Sequence, residues 1–457
     1  MYFRLFHLLL TSCVALCSAV NPFLSTNYYV NPTFQKNIAS SIQTSSNPLE
    51  IQNLRISQNA ASAFWLDVKA KVQPGDTSLA SLNGILLDAS RRVSPPLCVF
   101  IVYDLPNRDC NARSSNGEIC CSYNSDKTCN YQNGGNCASG IQEYQTTYID
   151  KIASILAIYD SKVPIVLVLE PDSLPNLVTN GNNPTCGNSA TQAAYKQGIQ
   201  YAVSTLSKAA PRTVMYIDAG HSGWLGWKNN LEPFQALIQS LGILDRIRGF
   251  ATNVANYQPL GTMCPQQDWC LPINNHANDV CCEDPCKLTT QWNPCTNELN
   301  YALQMSSYFP NKYFIIDTGR NGVPGPRQVC GNWCNIRNTG MGRFPTANTG
   351  SPLVDAFFWL KTPGESDGCT QTLPSGQSCA RYDSMCASVD SIGSQSGEPR
   401  VPEAGTWFDY HIKMLARNAA FGLVPSPVPS PVPSPVPSPV PSPGCNGCQL
   451  QCTCRSV

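Results

Sequence analysis

Six short apolar runs, each turning polar at its C-terminal end, constrain this chain more than any other feature. They are LCVFIVYDL (97–105), PIVLVLE (164–170), TVMYID (213–218), RGFATNVANY (248–257), KYFIID (312–317) and LVDAFFWLK (353–361). Such runs, without polar alternation, read as strands buried on both faces. Between several of them lie segments such as GIQEYQTTYIDKIASILAIYD (140–160) and SATQAAYKQGIQYAVSTLSKAA (189–210), whose apolar positions recur at helical spacing. Alternating strand and helix predicts a parallel sheet with right-handed crossovers, and at this chain length a closed or nearly closed β/α barrel.

The polar ends carry the chemistry. In chain order they offer Tyr103, Asp104, Arg108 and Asp109; Glu170 and Asp172; Asp218 and His221; Asn253 and Asn256; Asp317 and Arg320; Lys361, Glu365 and Asp367. In a parallel barrel the C-terminal strand ends converge on one mouth, so side chains distant in sequence meet around one ligand there. A single Asp at a strand end is ordinarily a helix cap or loop acceptor, and Asp104 and Asp317 are left in that role. Acids at five ends of six are not explained that way, so the pair at Glu170 and Asp172 is read as facing a site.

Aromatic residues follow the same geography. Trp224 and Trp227 stand in AGHSGWLGW and Trp333 in GNWCN, loop settings where a flat indole is offered to a ligand. Trp65, Trp359 and Trp407 have apolar neighbours and are read as core. Charged residues are only 13% of the chain, 30 basic against 30 acidic, with no basic tract. A nucleic-acid or anionic-membrane partner therefore has no electrostatic footprint. Indoles, several carboxylates, and neither a phosphate loop nor a metal cluster point to a neutral sugar and to glycoside hydrolysis without a cofactor. That reaction needs one carboxylic acid kept protonated and a second carboxylate to activate water or attack.

The first 19 residues, with one Arg and a short apolar stretch, read as a secretory signal. Residues 20–423 form the expected catalytic domain. Five Val-Pro-Ser-Pro repeats (424–443) predict a polyproline spacer, and residues 444–457 read as a Cys-rich tail, suited to a small disulfide knot, to wall attachment, or equally to a solvated tail with no specific role. Of 24 cysteines, 18 fall in the body. An even number in an exported chain points to disulfides; zinc is the alternative for CC (120–121) and CCEDPC (281–286), disfavoured by the missing C-x-x-C spacing.

The segments VYDLPNRDCNARSSNGE, LVLEPDSLPNLVTN, YIDAGHSGWLGW, GFATNVANY, WLKTPGESDG and PEAGTWFDYHIKMLARNA resemble, in order, the signature segments of family 6 glycoside hydrolases. These are secreted cellobiohydrolases and endoglucanases that cleave β-1,4-glucan with inversion. The resemblance spans residues 21 to 420 and implies a distorted barrel with fewer than eight closing strands and disulfide-rich surface loops. It implies that Asp172 is the general acid and that Asp109 raises its pKa and relays the water's proton through Ser115. Asp218 would orient the acid, and Asp367 would be the base. Tyr103, Arg108, His221, Trp224, Trp227, Asn256, Trp333, Lys361 and Glu365 would bind substrate. It also implies the pairs Cys110 with Cys186 and Cys334 with Cys386. Two Cys-rich inserts, 120–137 and 264–295, exceed the fungal pattern, and the long loops favour an exo-acting monomer over an endo-acting one. A glucan-binding wall protein that does not cleave is the alternative from another class.

Overall fold

The computed structural model describes residues 20–24, 27–132 and 134–422. The expected signal, linker and tail lie outside the described residues. Seven strands form one parallel sheet in sequence order: β1 (Phe64–Leu66), β2 (Cys98–Val102), β3 (Ile165–Leu169), β4 (Val214–Asp218), β5 (Gly249–Thr252), β6 (Tyr313–Asp317) and β7 (Val354–Phe358). The sheet curls until its first and last edges meet. They are joined by one bridge, Ser62 to Trp359, in which the Ala63 N–H donates to the Trp359 carbonyl at 2.9 Å. The barrel is thus closed by seven strands and a single bridge, as the resemblance implies. β1 has no counterpart among the six apolar runs, because three residues are too few to show a pattern.

Period-two alternation sorts each strand into two apolar layers. Val99, Ile101, Val166, Val168, Ala251, Ile315 and Ala356 fill the barrel. Cys98, Phe100, Val102, Leu167, Leu169, Ile217 and Ile316 pack outward on the helices. The expected helices are present, one running from Ala138 to Tyr159 through a π-helical turn at Tyr144–Ile149, the other spanning Ser189–Ala209 with Asn188 capping its start. The π turn aims two buried tyrosines at the sheet: Tyr148 donates to the Leu66 carbonyl and Tyr144 to Glu170 Oε1, the latter at 2.7 Å. Among the described residues no helix is long and apolar enough to cross a membrane.

Among the described residues eight disulfides tie down the loops. Cys110 pairs with Cys186 and Cys334 with Cys386. The insert cysteines pair as 120–129, 121–137, 264–281, 270–282 and 286–330, and Cys369 pairs with Cys379. The sulfurs of Cys264, Cys270, Cys281 and Cys282 lie within 4.8 Å of one another and are taken up in two of these bonds. The even body count does not mean complete pairing, since Cys98 and Cys295 remain as buried thiols.

Candidate active site

At the C-terminal ends of the strands lies a cavity of about 680 Å³. Asp109, Asp172, Asp367, Ser115, Tyr103, Arg108, His221, Trp224, Trp227, Asn256, Trp333, Lys361 and Glu365 all line it. Asp218 and Glu170 do not.

The turn after β3 explains the difference. Glu170 (φ 49°) and Asp172 (φ 64°) both have left-handed backbone, a sharp reversal that non-glycine residues adopt only when the surroundings enforce it. Glu170 is turned away from the cavity, accepting from the Tyr144 hydroxyl and from the backbone N–H groups of Asp104 and Leu105. The reading of Glu170 as facing the site is therefore corrected: it fastens the β2 loop to β3. Asp218 accepts the N–H of Asp172 at 3.0 Å and of Gly220 at 3.1 Å, and Asn176 donates to the Asp172 carbonyl at 2.6 Å. Asp218 thus stands behind Asp172 and fixes its backbone rather than touching the cavity. The Asp172 carboxyl faces the cavity and takes no hydrogen bond from the described residues.

Three crowded acids resist ionisation. Burial raises the Asp172 pKa well above the carboxylate range, and the neighbouring Asp218 and Asp109 raise it further. Burial lifts Asp218 to about 7 against its two backbone donors, and Asp109 to about 6 against the Ser115 hydroxyl, Arg108 and the Tyr103 hydroxyl. Asp367 is the contrast. Burial alone would raise it, but Arg320 and then Lys361 hold it below its ordinary value. Arg320 Nη1 donates to both Asp367 oxygens at 2.7 and 2.8 Å, the Tyr257 hydroxyl donates at 2.7 Å and the Asn335 N–H at 2.9 Å. One cavity therefore holds one carboxyl whose pKa is raised and one whose pKa is lowered.

Aromatic walls are fixed by their own polar atoms. Trp224 Nε1 donates to Thr179 at 2.7 Å and Trp227 Nε1 to the Gln291 carbonyl at 2.8 Å. Gly220 (φ 58°) sits where a Cβ would come within 3.0 Å of the Trp224 ring, so a side chain there would displace the indole. His221 is held neutral, its pKa pushed down to about 3 by burial and by Arg327. Arg108 reaches the cavity wall, yet its donors go to the carbonyls of Tyr103, Asp67, Ser115 and Asn116, so it organises the loop that carries Asp109. Asp104 and Asp317 are structural: the first pairs with Arg108 at 3.4 Å, and the second accepts four backbone N–H groups.

Two of the loops that line the cavity touch each other. Asn111, Ala112 and Ser115 line it from one side, Arg381, Ala404 and Gly405 from the other. The Arg113 N–H donates to Asp383 at 2.7 Å and Arg381 to the Asn116 carbonyl at 3.5 Å.

Sequence reasoning missed several lining residues. Trp65, read as core, lines the cavity from β1. Its ring packs edge-on against Tyr103 at 5.1 Å and under Lys361 Nζ at 5.1 Å, while Nε1 donates to the Leu360 carbonyl. Trp359 is fully buried as expected, and Trp407 is partly buried against the same cluster. Asp67, Lys71, Arg327 and the insert residues Leu288 and Gln291 also line the cavity.

The family model for glycosyl hydrolases family 6 matches residues 23–419. The chain belongs to that family. The 1,4-β-D-glucan cellobiohydrolase C of Emericella nidulans is 38% identical over 413 residues, 87% of this chain and 78% of the relative. The catalytic core of the cellobiohydrolase Cel6A from Chaetomium thermophilum superimposes with a TM-score of 0.68 at 35% identity, covering 88% of this chain and 99% of the other. Cellobiohydrolase II (Cel6A) from Humicola insolens, solved with glucose and cellotetraose, gives 0.69 at 33% identity, covering 88% and 99%. The family 6 chain described here is accordingly a glycoside hydrolase.

Proposed function

We propose that this family 6 hydrolase is an exo-acting β-1,4-glucanase that releases cellobiose from cellulose or a related glucan with inversion. The observation that carries the reading is that the Asp172 carboxyl, facing the cavity without a hydrogen-bond partner among the described residues, shares that cavity with Asp367, whose two oxygens are held by Arg320. Asp172 donates its proton to the glycosidic oxygen as the bond to the anomeric carbon breaks, and burial first, then the neighbouring Asp218 and Asp109, favour its protonated form. Water attacks the opposite face of the sugar. Its proton passes toward Asp109 through the Ser115 hydroxyl, or directly to Asp367, and the two-carboxyl logic of inverting enzymes requires one such acceptor. Trp65, Trp224, Trp227 and Trp333 offer flat apolar faces to successive glucosyl rings, while Lys361, Glu365, His221 and Asn256 offer hydrogen bonds to hydroxyls. Arg108 contributes by positioning Asp109.

Contact between these two cavity-lining loops supports threading of a chain end over random internal cutting. Export, supported by the eight disulfides among the described residues, completes the reading, together with monomeric action, the domain boundaries and a wall-directed tail. The test is the product profile on swollen cellulose. Cellobiose as the main product, released first as the α-anomer with little early loss of viscosity, is expected. A β-anomeric product would overturn the inverting chemistry, and rapid loss of viscosity would overturn exo action.

A further inference from the structure

The insert from Cys264 to Cys295 lies outside every motif that marks the family, yet it supplies cavity wall through Cys286, Leu288 and Gln291. The next residue, Trp292, carries two unfavourable features at once. Its backbone is left-handed (φ 61°, ψ 29°), a region costly for a bulky side chain, and its surface is 60% exposed. Its indole makes no hydrogen bond or ring contact among the described residues. A lone exposed hydrophobic residue is ordinary. What sets Trp292 apart is its attachment. On one side the Gln291 carbonyl accepts from Trp227 Nε1 at 2.8 Å; on the other Asn293 Nδ2 donates to the Ser222 carbonyl at 2.9 Å, in the short helix Ser222–Leu225 that carries Trp224. The Cys286–Cys330 bond then fastens the insert to the loop that bears Trp333. The backbone that carries the indole is therefore tied on both sides to the segments that bear the cavity tryptophans.

We propose that Trp292 is an external glucan-contact platform, stacking against the apolar face of a glucosyl unit that lies outside the cavity beside Trp227. The occupant follows from continuity: Gln291 belongs to the cavity, Trp292 adjoins it, and a neutral pyranose face matches an uncharged indole. This rests on the glucanase reading of the cavity, and the test separates the two.

Trp292→Gly, which the left-handed backbone accommodates, and Trp292→Tyr, which keeps a ring, are compared with the unaltered full chain on cellotetraose and on swollen cellulose. The ratio of kcat/KM on cellulose to that on cellotetraose is expected to fall about threefold to tenfold in Trp292→Gly. The loss should lie in KM, with cooperative melting retained, and Trp292→Tyr should recover most of it. Depletion binding to cellulose, which needs no turnover, should weaken by the same factor. Binding without cleavage in the unaltered chain would therefore sink the glucanase reading while still testing Trp292. An unchanged ratio, or equal losses on both substrates, overturns the platform.

Discussion

Replacing Asp172 by Asn separates proton donation from everything else this residue does. The two side chains have the same shape, and Asn tolerates the left-handed backbone (φ 64°, ψ −1°) as well as Asp does. The local contacts are made by the backbone, through Asp218 and Asn176, and not by the carboxyl. No buried partner is orphaned, so melting should shift by no more than about 2 °C. Chemistry should suffer far more. Losing a general acid costs about 10²- to 10⁴-fold in rate, or about 3 to 5 kcal/mol of barrier. That cost falls only on leaving groups that need a proton. A sugar hydroxyl leaves as an alkoxide unless protonated, whereas 2,4-dinitrophenolate is stable as the anion. Cellotetraose hydrolysis, followed by chromatography, should therefore drop by the full factor, while release of dinitrophenolate from the aryl cellobioside, followed by absorbance, should drop less than about tenfold. The alkaline limb of the pH profile, set by loss of the Asp172 proton, should disappear on the activated substrate. Equal losses on both substrates would refute the assignment, because they would place Asp172 in binding or folding and not in proton transfer.

Arg320→Lys tests the charged partner. With the guanidinium gone, Asp367 loses its two-oxygen donor, its pKa rises toward the ordinary range, and the acid limb of kcat/KM moves to higher pH; an unmoved limb would argue against Asp367 as the ionised group. The same change weakens a fully buried ion pair, so a stability loss of up to about 3 to 5 kcal/mol is expected in denaturant unfolding. A third prediction concerns pH and stability. Glu170, Asp218 and Glu298 are each lifted to about 7 by burial. Their folded pKa values exceed the unfolded ones, so the unfolded state sheds protons first and stability falls as pH climbs from about 4 to 7. For Glu170 alone, moved from 4.5 to about 7, the loss is about 3 kcal/mol. Melting temperature should decline between pH 5 and 8, with Glu170→Gln flattening the decline; a rise over that range would contradict the burial argument.

Much of this was legible in the sequence because it is repeated. Each strand longer than three residues announced itself as an apolar run, and every run but that of β6 ends within a few residues of the cavity lining, so the barrel and its mouth follow from periodicity. β1 could not announce itself, and with it went Trp65, whose apolar neighbours are those of a short edge strand and not of a core. Spacing likewise could not pair the insert cysteines, since adjacent thiols such as Cys281 and Cys282 reach different partners, Cys264 and Cys270. Nor could it show that the insert enters the cavity, because Leu288 and Gln291 get there by chain path alone.

Glu170 shows why a strand-end carboxylate cannot be assigned by alternation. Val166 and Val168 point into the barrel, so a continued period of two would send Glu170 the same way, toward the mouth. The left-handed backbone at Glu170 breaks that period. Its carboxylate swings to the helical side, where the Tyr144 hydroxyl, delivered by the π-helical turn, meets it together with two backbone N–H groups. The reversal then brings Asp172, two residues on, to the cavity with its carboxyl unsatisfied. The same strained turn thus gives one acid three donors on the helical side and withholds donors from the other, so the carboxyl that faces the cavity is the one left without a partner.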